Sequence, residues 1–84
     1  MVVGEEARLA RELDRVAAVA VLSHERNIEA LARFGLRLEE NRSDASPIER
    51  VFLELLPNLI RHRKGELAEI RKMRHGLKAL LGDG

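Results

Sequence analysis

The amino-acid sequence predicts an all-α protein, built as an antiparallel hairpin of two long helices. Two observations support this fold class. Apolar residues recur at intervals of three and four through both halves of the chain, which is the spacing of one helical face, and no stretch alternates apolar and polar residues as a half-buried strand does. A short polar segment separates the two halves, and a loop of that length brings two helices back antiparallel.

The first helix is predicted over residues 5–40. Glu5 and Glu6 place acidic side chains in its first turn, where the positive end of the helix dipole favours them. Its apolar pattern consists of Leu9, Leu13, Val16, Ala20, Ile28, Leu31 and Leu38. Ser23 could cap a new helix, but Arg26 stands where a capping box requires Glu or Gln. One continuous helix is therefore favoured, and a compact three-helix bundle with a break near Ser23 is the alternative.

The loop is predicted over residues 41–46 and the second helix over residues 47–81. Ser46 can cap that helix, because its side chain can accept a hydrogen bond from the backbone two or three residues later. Pro47 suits the first helical position, where its missing N–H would have no helical partner. Glu49 completes the capping box.

Three residues inside the predicted second helix are poor helix formers. Pro57 removes one backbone hydrogen bond, so a kink is expected there. In an antiparallel hairpin with this loop, Gly65 lies opposite His24 and Gly76 lies opposite Leu13. Glycine in a helix costs about 0.5–1 kcal/mol relative to alanine. We therefore expect the helices to approach closely at these two glycines.

The apolar residues are too numerous for the seam of one hairpin. A two-helix hairpin is one layer thick, and small domains that bury little surface are usually completed by association. The sequence therefore predicts one of two outcomes. Either the chain is a homo-oligomer, a dimer that forms a four-helix bundle, or it docks on a helical protein partner. The expected interface residues are Leu55, Leu56 and Arg63. Arg63 is included because it lies between Leu59 and Leu67 on the apolar stripe, where a polar residue often fixes register or partner choice.

Basic residues concentrate in the second helix. Residues 61–78 contain seven Lys and Arg against two Glu. The phosphate-binding residues that this pattern suggests are Arg61, Lys64, Arg71, Lys72 and Lys78. Basic side chains on one helical face bind nucleic acid by releasing counterions from its phosphates. However, the hairpin lays residues 5–29, with six acidic and four basic side chains, beside this segment. The sequence pI of about 8.3 is also below that of a dedicated nucleic-acid binder.

The composition argues against an enzyme. The chain has no Cys, Trp or Tyr, which excludes disulfides, cysteine ligands and a cysteine nucleophile. It has no Glu-x-x-His pair of the kind that helical bundles use for metals. Ser23, His24 and Glu25 are consecutive, so on a helix they point about 100° apart and form no triad. We expect no catalytic residue, metal, cofactor or small-molecule substrate.

The 84 residues are long enough for one domain only. The longest apolar run, residues 16–22, is too short to cross a membrane. Glu12, Asp14 and Arg15 precede it rather than a basic region, which is unlike a signal peptide. These features predict a single helical domain over residues 1–84, no membrane association and a cytoplasmic location.

The segment from Leu55 to Lys64, followed by Leu67 and Ile70, resembles the long helices of archaeal replication-factor domains of the GINS type. It covers less than a quarter of the chain and, like those helices, combines leucines with an Arg-x-x-Lys pattern of basic residues. The resemblance implies a replication-accessory role and assigns no site residues.

The sequence therefore favours a non-enzymatic helical module for protein–protein interaction, self-associating or part of a larger assembly. The alternative is a small nucleic-acid-associated protein, a replication accessory or regulator, that binds phosphates through the basic second helix.

Overall fold

The computed structural model describes residues 4–82 and shows an all-α antiparallel hairpin, which confirms the predicted fold class. Helix α1 spans Gly4–Glu40, a short 3-10 turn spans Arg42–Asp44, and helix α2 spans Pro47–Leu80. These bounds differ by one residue from those expected. Since α1 continues through Ser23, the three-helix alternative is wrong. The hairpin measures 60 × 19 × 15 Å, so it is long and one layer thick.

The start of α2 is a capping box. Ser46 Oγ accepts a hydrogen bond from the Glu49 backbone N–H at 3.2 Å, and the Ser46 N–H donates to Glu49 Oε1 at 2.9 Å. Pro47 occupies the first helical position. The Ser46 N–H lowers the pKa of the Glu49 carboxyl. This cap therefore stabilises the fold above the ordinary pKa of Glu, and its contribution is lost as the pH falls.

Helix α2 runs without interruption through Pro57, and the kink expected there stays a prediction. At the other end, Leu81 and Gly82 donate backbone hydrogen bonds to Leu77 and Ala79. Gly82 has a φ of 66°, the left-handed conformation that commonly follows the end of a helix and that glycine adopts without steric cost.

The two helices meet along a seam whose residues alternate in steps of three and four, as in a coiled coil. All of the seam residues are buried or half-buried. From α1 they are Ala7, Ala10, Asp14, Ala17, Val21, His24, Ile28, Leu31, Gly35 and Leu38. From α2 and its ends they are Glu49, Leu53, Leu56, Ile60, Arg63, Leu67, Ile70, Arg74, Leu77 and Leu81. This spacing continues over about five heptads.

The seam differs from the apolar pattern of the sequence in the first half of α1. Leu9, Leu13 and Val16 are 56%, 47% and 67% exposed. Alanines, among them Ala10 and Ala17, occupy the seam instead. The sequence pattern joined two different stripes, because steps of three and four describe both equally well.

The close approach of the helices occurs at Gly35, not at Gly65 or Gly76. A methyl group at Gly35 would overlap Leu56 Cδ2 of α2. Gly65 and Gly76 have no atoms within 4 Å of the position a Cβ would take, so the close approach expected there is wrong. The register itself agrees with expectation, since His24 lies beside Glu66, one residue from the predicted neighbour.

Candidate interaction surfaces

The hairpin has two long flanks, one on each side of the seam. Phe34 and Phe52 mark the first flank, where their rings meet edge to face with centroids 5.3 Å apart. Arg71 and Glu25 mark the second flank, where Arg71 Nη2 donates to Glu25 Oε2 at 2.6 Å. Residues seven apart keep the same position along a coiled-coil seam, and residues three or four apart share a helical face. These contacts therefore assign the other residues outside the seam to a flank.

The first flank carries the apolar face. The residues of this face are Leu9, Leu13, Val16, Ala20, Ala30 and Phe34 of α1, and Ile48, Phe52, Leu55, Leu59, Met73 and Leu80 of α2. Nine of them are large and exposed, from 36% for Leu59 to 81% for Ile48. The seam covers none of these nine fully, so the hairpin leaves a second apolar stripe on each helix without a partner.

A polar midsection divides the apolar face into two ends. We define it as Ser23 and Asn27 of α1 with His62, Glu66 and Glu69 of α2. Within it, Glu66 Oε1 lies 3.4 Å from an Arg63 guanidinium nitrogen and 3.5 Å from His24 Nε2. The face is therefore apolar near the loop, polar halfway along and apolar again near the open end of the hairpin.

The three expected interface residues have different environments. Leu55 is 59% exposed and belongs to the apolar face. Leu56 is 6% exposed and packs in the seam against Gly35, so it is not available to a second molecule. Arg63 is half-buried in the seam, where its Nη1 donates to Glu66 and its buried Nε has no hydrogen-bond partner among the described residues.

A charged pair inside the seam was missed by sequence reasoning. Arg74 Nε donates to Asp14 Oδ1 at 2.8 Å, and Arg74 Nη2 donates to Asp14 Oδ2 at 3.3 Å. The hydrogen bond from Arg74 holds the pKa of the Asp14 carboxyl below its ordinary value. The pair therefore stabilises the fold above the ordinary pKa of Asp, and this contribution is lost as the pH falls. Heptad spacing combined with the antiparallel register was the signal that could have located it.

The expected phosphate-binding residues are only partly brought together. Lys64, Arg71 and Lys78 are seven residues apart and form one stripe on the second flank, away from the apolar face. Arg61 lies near this stripe and donates to Asn58 Oδ1. Lys72 lies on the outer side of α2, 3.7 Å from Glu69.

Helix α1 contributes charges of both signs beside this stripe. Arg11 lies two heptads before Glu25 and therefore on the same flank. Glu25 itself pairs with Arg71, which neutralises part of the stripe. The second flank is thus most basic at the open end of the hairpin, around Lys78 and Arg11.

Other kinds of site find little support in the described part of the chain. Between residues 4 and 82, no three His, Asp or Glu side chains gather as a metal site would require. In the same range, no helix has the length and apolarity needed to cross a bilayer.

No protein-family model matches the chain, and no curated protein or solved structure shows significant similarity to it.

Proposed function

We propose that the protein is a non-enzymatic helical interaction module that self-associates through the apolar face. The observation that carries this proposal is the nine large apolar side chains exposed on one flank. Four of them lie at the loop end of the face and five at the open end, and monomeric proteins rarely expose such clusters of large apolar side chains. Burial of such a face by a second hairpin gives a four-helix bundle, a two-layer arrangement that encloses a core.

The weakness of the isolated core supports the same proposal. Among residues 4–82, the buried apolar side chains are Ala10, Ala17, Leu53, Leu56 and Leu67. Two of these five are alanines, which contribute little apolar area. Since burial yields roughly 25 cal/mol per Å² of apolar surface, each buried alanine stabilises the hairpin less than a buried leucine at the same position would.

Leu13→Asp tests this function, with Leu22→Asp as the matched control. Both residues are leucines of α1 and both are about half exposed, at 47% and 53%. Leu13 belongs to the apolar face, whereas Leu22 lies on the other flank. We expect light scattering to give the parent twice the 9.5 kDa chain mass, the Leu13 variant the single mass, and the control the parent's mass. A parent of single mass at high concentration contradicts self-association.

The stripe of Lys64, Arg71 and Lys78 supports a second candidate function, binding of nucleic-acid phosphates. The stripe lies on the flank opposite the apolar face, so it remains outside when the apolar face is covered. Phosphate contacts of this kind position a protein on a duplex without reading its bases. This candidate is compatible with self-association, because the two functions use different flanks.

Replacement of Lys64, Arg71 and Lys78 together by Gln tests the second candidate. We expect weaker binding to any duplex, with a salt slope smaller by about 0.9 for each phosphate that the variant no longer neutralises. Helicity should persist, since Gln forms helices nearly as well as Lys and Arg. Lys72→Gln is the control, because Lys72 lies off the stripe, and it should change the slope little. Absence of duplex binding by the parent at low salt contradicts this candidate.

A further inference from the structure

We propose that Asp14 and Arg74 are positioning residues, a pair that holds the open half of the hairpin together and thereby sets the open end of the apolar face. The open half is defined as residues 4–20 of α1 and residues 70–82 of α2. The inference rests on the proposed self-association, because it names the contact on which one end of the interaction surface depends.

Apolar packing holds the open half less firmly than the half beside the loop. Among residues 4–20 and 70–82, the only buried side chains are Ala10 and Ala17. The half beside the loop buries Leu53 and Leu56, and it adds the edge-to-face contact of two phenylalanine rings. Because alanine has less apolar area than leucine, burial stabilises the open half less.

The Asp14–Arg74 pair supplies a polar contact between the helices in this half. Two guanidinium nitrogens of Arg74 donate to the two carboxylate oxygens of Asp14, at 2.8 and 3.3 Å. The side chains of Asp14 and Arg74 are only 20% and 28% exposed. Within residues 4–20 and 70–82, no other ion pair joins α1 to α2. A bidentate pair of this kind fixes the relative orientation of its two side chains as well as their distance.

The pair lies directly beside the apolar face. Leu13 immediately precedes Asp14, and Met73 immediately precedes Arg74. Leu13 and Met73 belong to the apolar face and are 47% and 50% exposed. They come from different helices, so they form one surface only while the helices stay together in the open half. The pair therefore controls the spacing of these two apolar side chains.

Asp14 performs this role in its ionised form. From α2, Arg74 and Lys78 favour its negative charge, and Arg11 lies about one turn before it on α1. The hydrogen bond from Arg74 holds the pKa of the Asp14 carboxyl below its ordinary value, against the opposing effect of burial. Protonation of Asp14 leaves the Arg74 guanidinium in the seam without its negative partner, which is unfavourable. The open half should therefore loosen as the pH falls below the ordinary pKa of Asp.

Asp14→Asn tests the inference, with Glu25→Gln as the matched control. Each variant replaces the carboxylate of an interhelical arginine pair by a neutral amide of nearly the same shape. The Glu25–Arg71 pair lies on the second flank, where its side chains are about half exposed, at 44% and 56%. Exposed ion pairs contribute little to stability, so the control should behave as the parent does.

Spin-label distances measure the separation of the helices in each half. The chain has no cysteine, so Glu12→Cys with Ala79→Cys labels the open half, and Arg33→Cys with Asn58→Cys labels the half beside the loop. All four residues are exposed and lie outside the seam and the apolar face. Dilution with excess unlabelled chain restricts the measurement to distances within one copy. We expect Asp14→Asn to lengthen and broaden the distance in the open half and to leave the other distance unchanged.

Light scattering of the unlabelled variants measures the consequence for association. We expect Asp14→Asn to raise the dissociation constant of the dimer, and Glu25→Gln to leave it at the parent's value. The difference between the parent and Asp14→Asn should be full at neutral pH and shrink as the pH falls below the ordinary pKa of Asp, because protonated Asp14 then resembles Asn. A role of side-chain shape alone would leave this difference independent of pH.

The two measurements separate this inference from the proposed function. An unchanged distance in the open half of Asp14→Asn, or an equal change in both halves, overturns the inference. A longer distance in the open half with an unchanged dissociation constant also overturns it, because the apolar face would not depend on the pair. A parent of single mass contradicts self-association instead, and the label distances still decide whether the pair holds the open half.

Discussion

Leu56→Asp is expected to unfold the hairpin, whereas Leu55→Asp leaves it helical and removes association. Leu56 is 6% exposed and packs in the seam against Gly35. The variant loses about 1.5–3 kcal/mol of apolar burial and forces a carboxylate into the seam, where its burial adds a further cost. The total is a large part of the roughly 5–15 kcal/mol that stabilises an ordinary domain.

Leu55 is adjacent in sequence but 59% exposed on the apolar face. Its variant should therefore keep the helical circular-dichroism signal at low temperature and give the single-chain mass by light scattering. Because dimerisation stabilises the folded state by mass action, the concentration dependence of its thermal midpoint should also disappear. Equal loss of helicity in both variants would contradict this prediction, because it would show that the single hairpin does not keep its helices without association.

Gly35→Leu is expected to destabilise the protein by about 1–3 kcal/mol, the usual cost of overpacking a tight contact. Even a single methyl group at this position would overlap Leu56 Cδ2, and a leucine side chain has three more carbons. Urea denaturation followed by circular dichroism measures the change in the free energy of unfolding.

Gly65→Leu is the matched control for this substitution. Gly65 is also inside a helix, but there is open space around it. Replacement of an exposed helical glycine by leucine gains about 0.5–1 kcal/mol of helix propensity, so this variant should be more stable than the parent. If both variants shift the midpoint in the same direction, Gly35 is not the point of close approach.

Local signals in the sequence were sufficient for the hairpin. The capping box of Ser46 and Glu49 depends on residues three apart, and its hydrogen bonds form as predicted. The loop length then determined the antiparallel register, which brings His24 beside Glu66. These features need only neighbouring residues and elementary geometry.

The position of the seam on each helix could not be predicted in the same way. On α1, the stripe containing Leu9, Leu13 and Val16 and the stripe of seam alanines both have steps of three and four. The larger residues predicted the wrong stripe, because α2 packs on the alanine stripe and leaves the larger residues exposed. That choice depends on how the two helices fit together, which the spacing within one helix does not contain.

The assignment of residues to the candidate surfaces depends on the position of the seam in the same way. Leu55 and Leu56 differ by about 100° around the helix, so only the position of the seam assigns one to the surface and the other to the core. Likewise, the seven-residue spacing of Lys64, Arg71 and Lys78 is visible in the sequence. The assignment of Lys72 to another side of α2 requires the seam.

The change in seam composition along the hairpin has a consequence for local unfolding. Near the loop α1 contributes Leu31 and Leu38 to the seam, whereas near the open end it contributes mainly alanines. Opening the last turns there exposes less apolar area than opening the turns beside the loop. Segments that bury few apolar contacts open with low free energy, and their amide hydrogens exchange fastest with solvent. We therefore expect the single hairpin to open first at the end away from the loop, and a docked second copy to slow amide exchange most at that end.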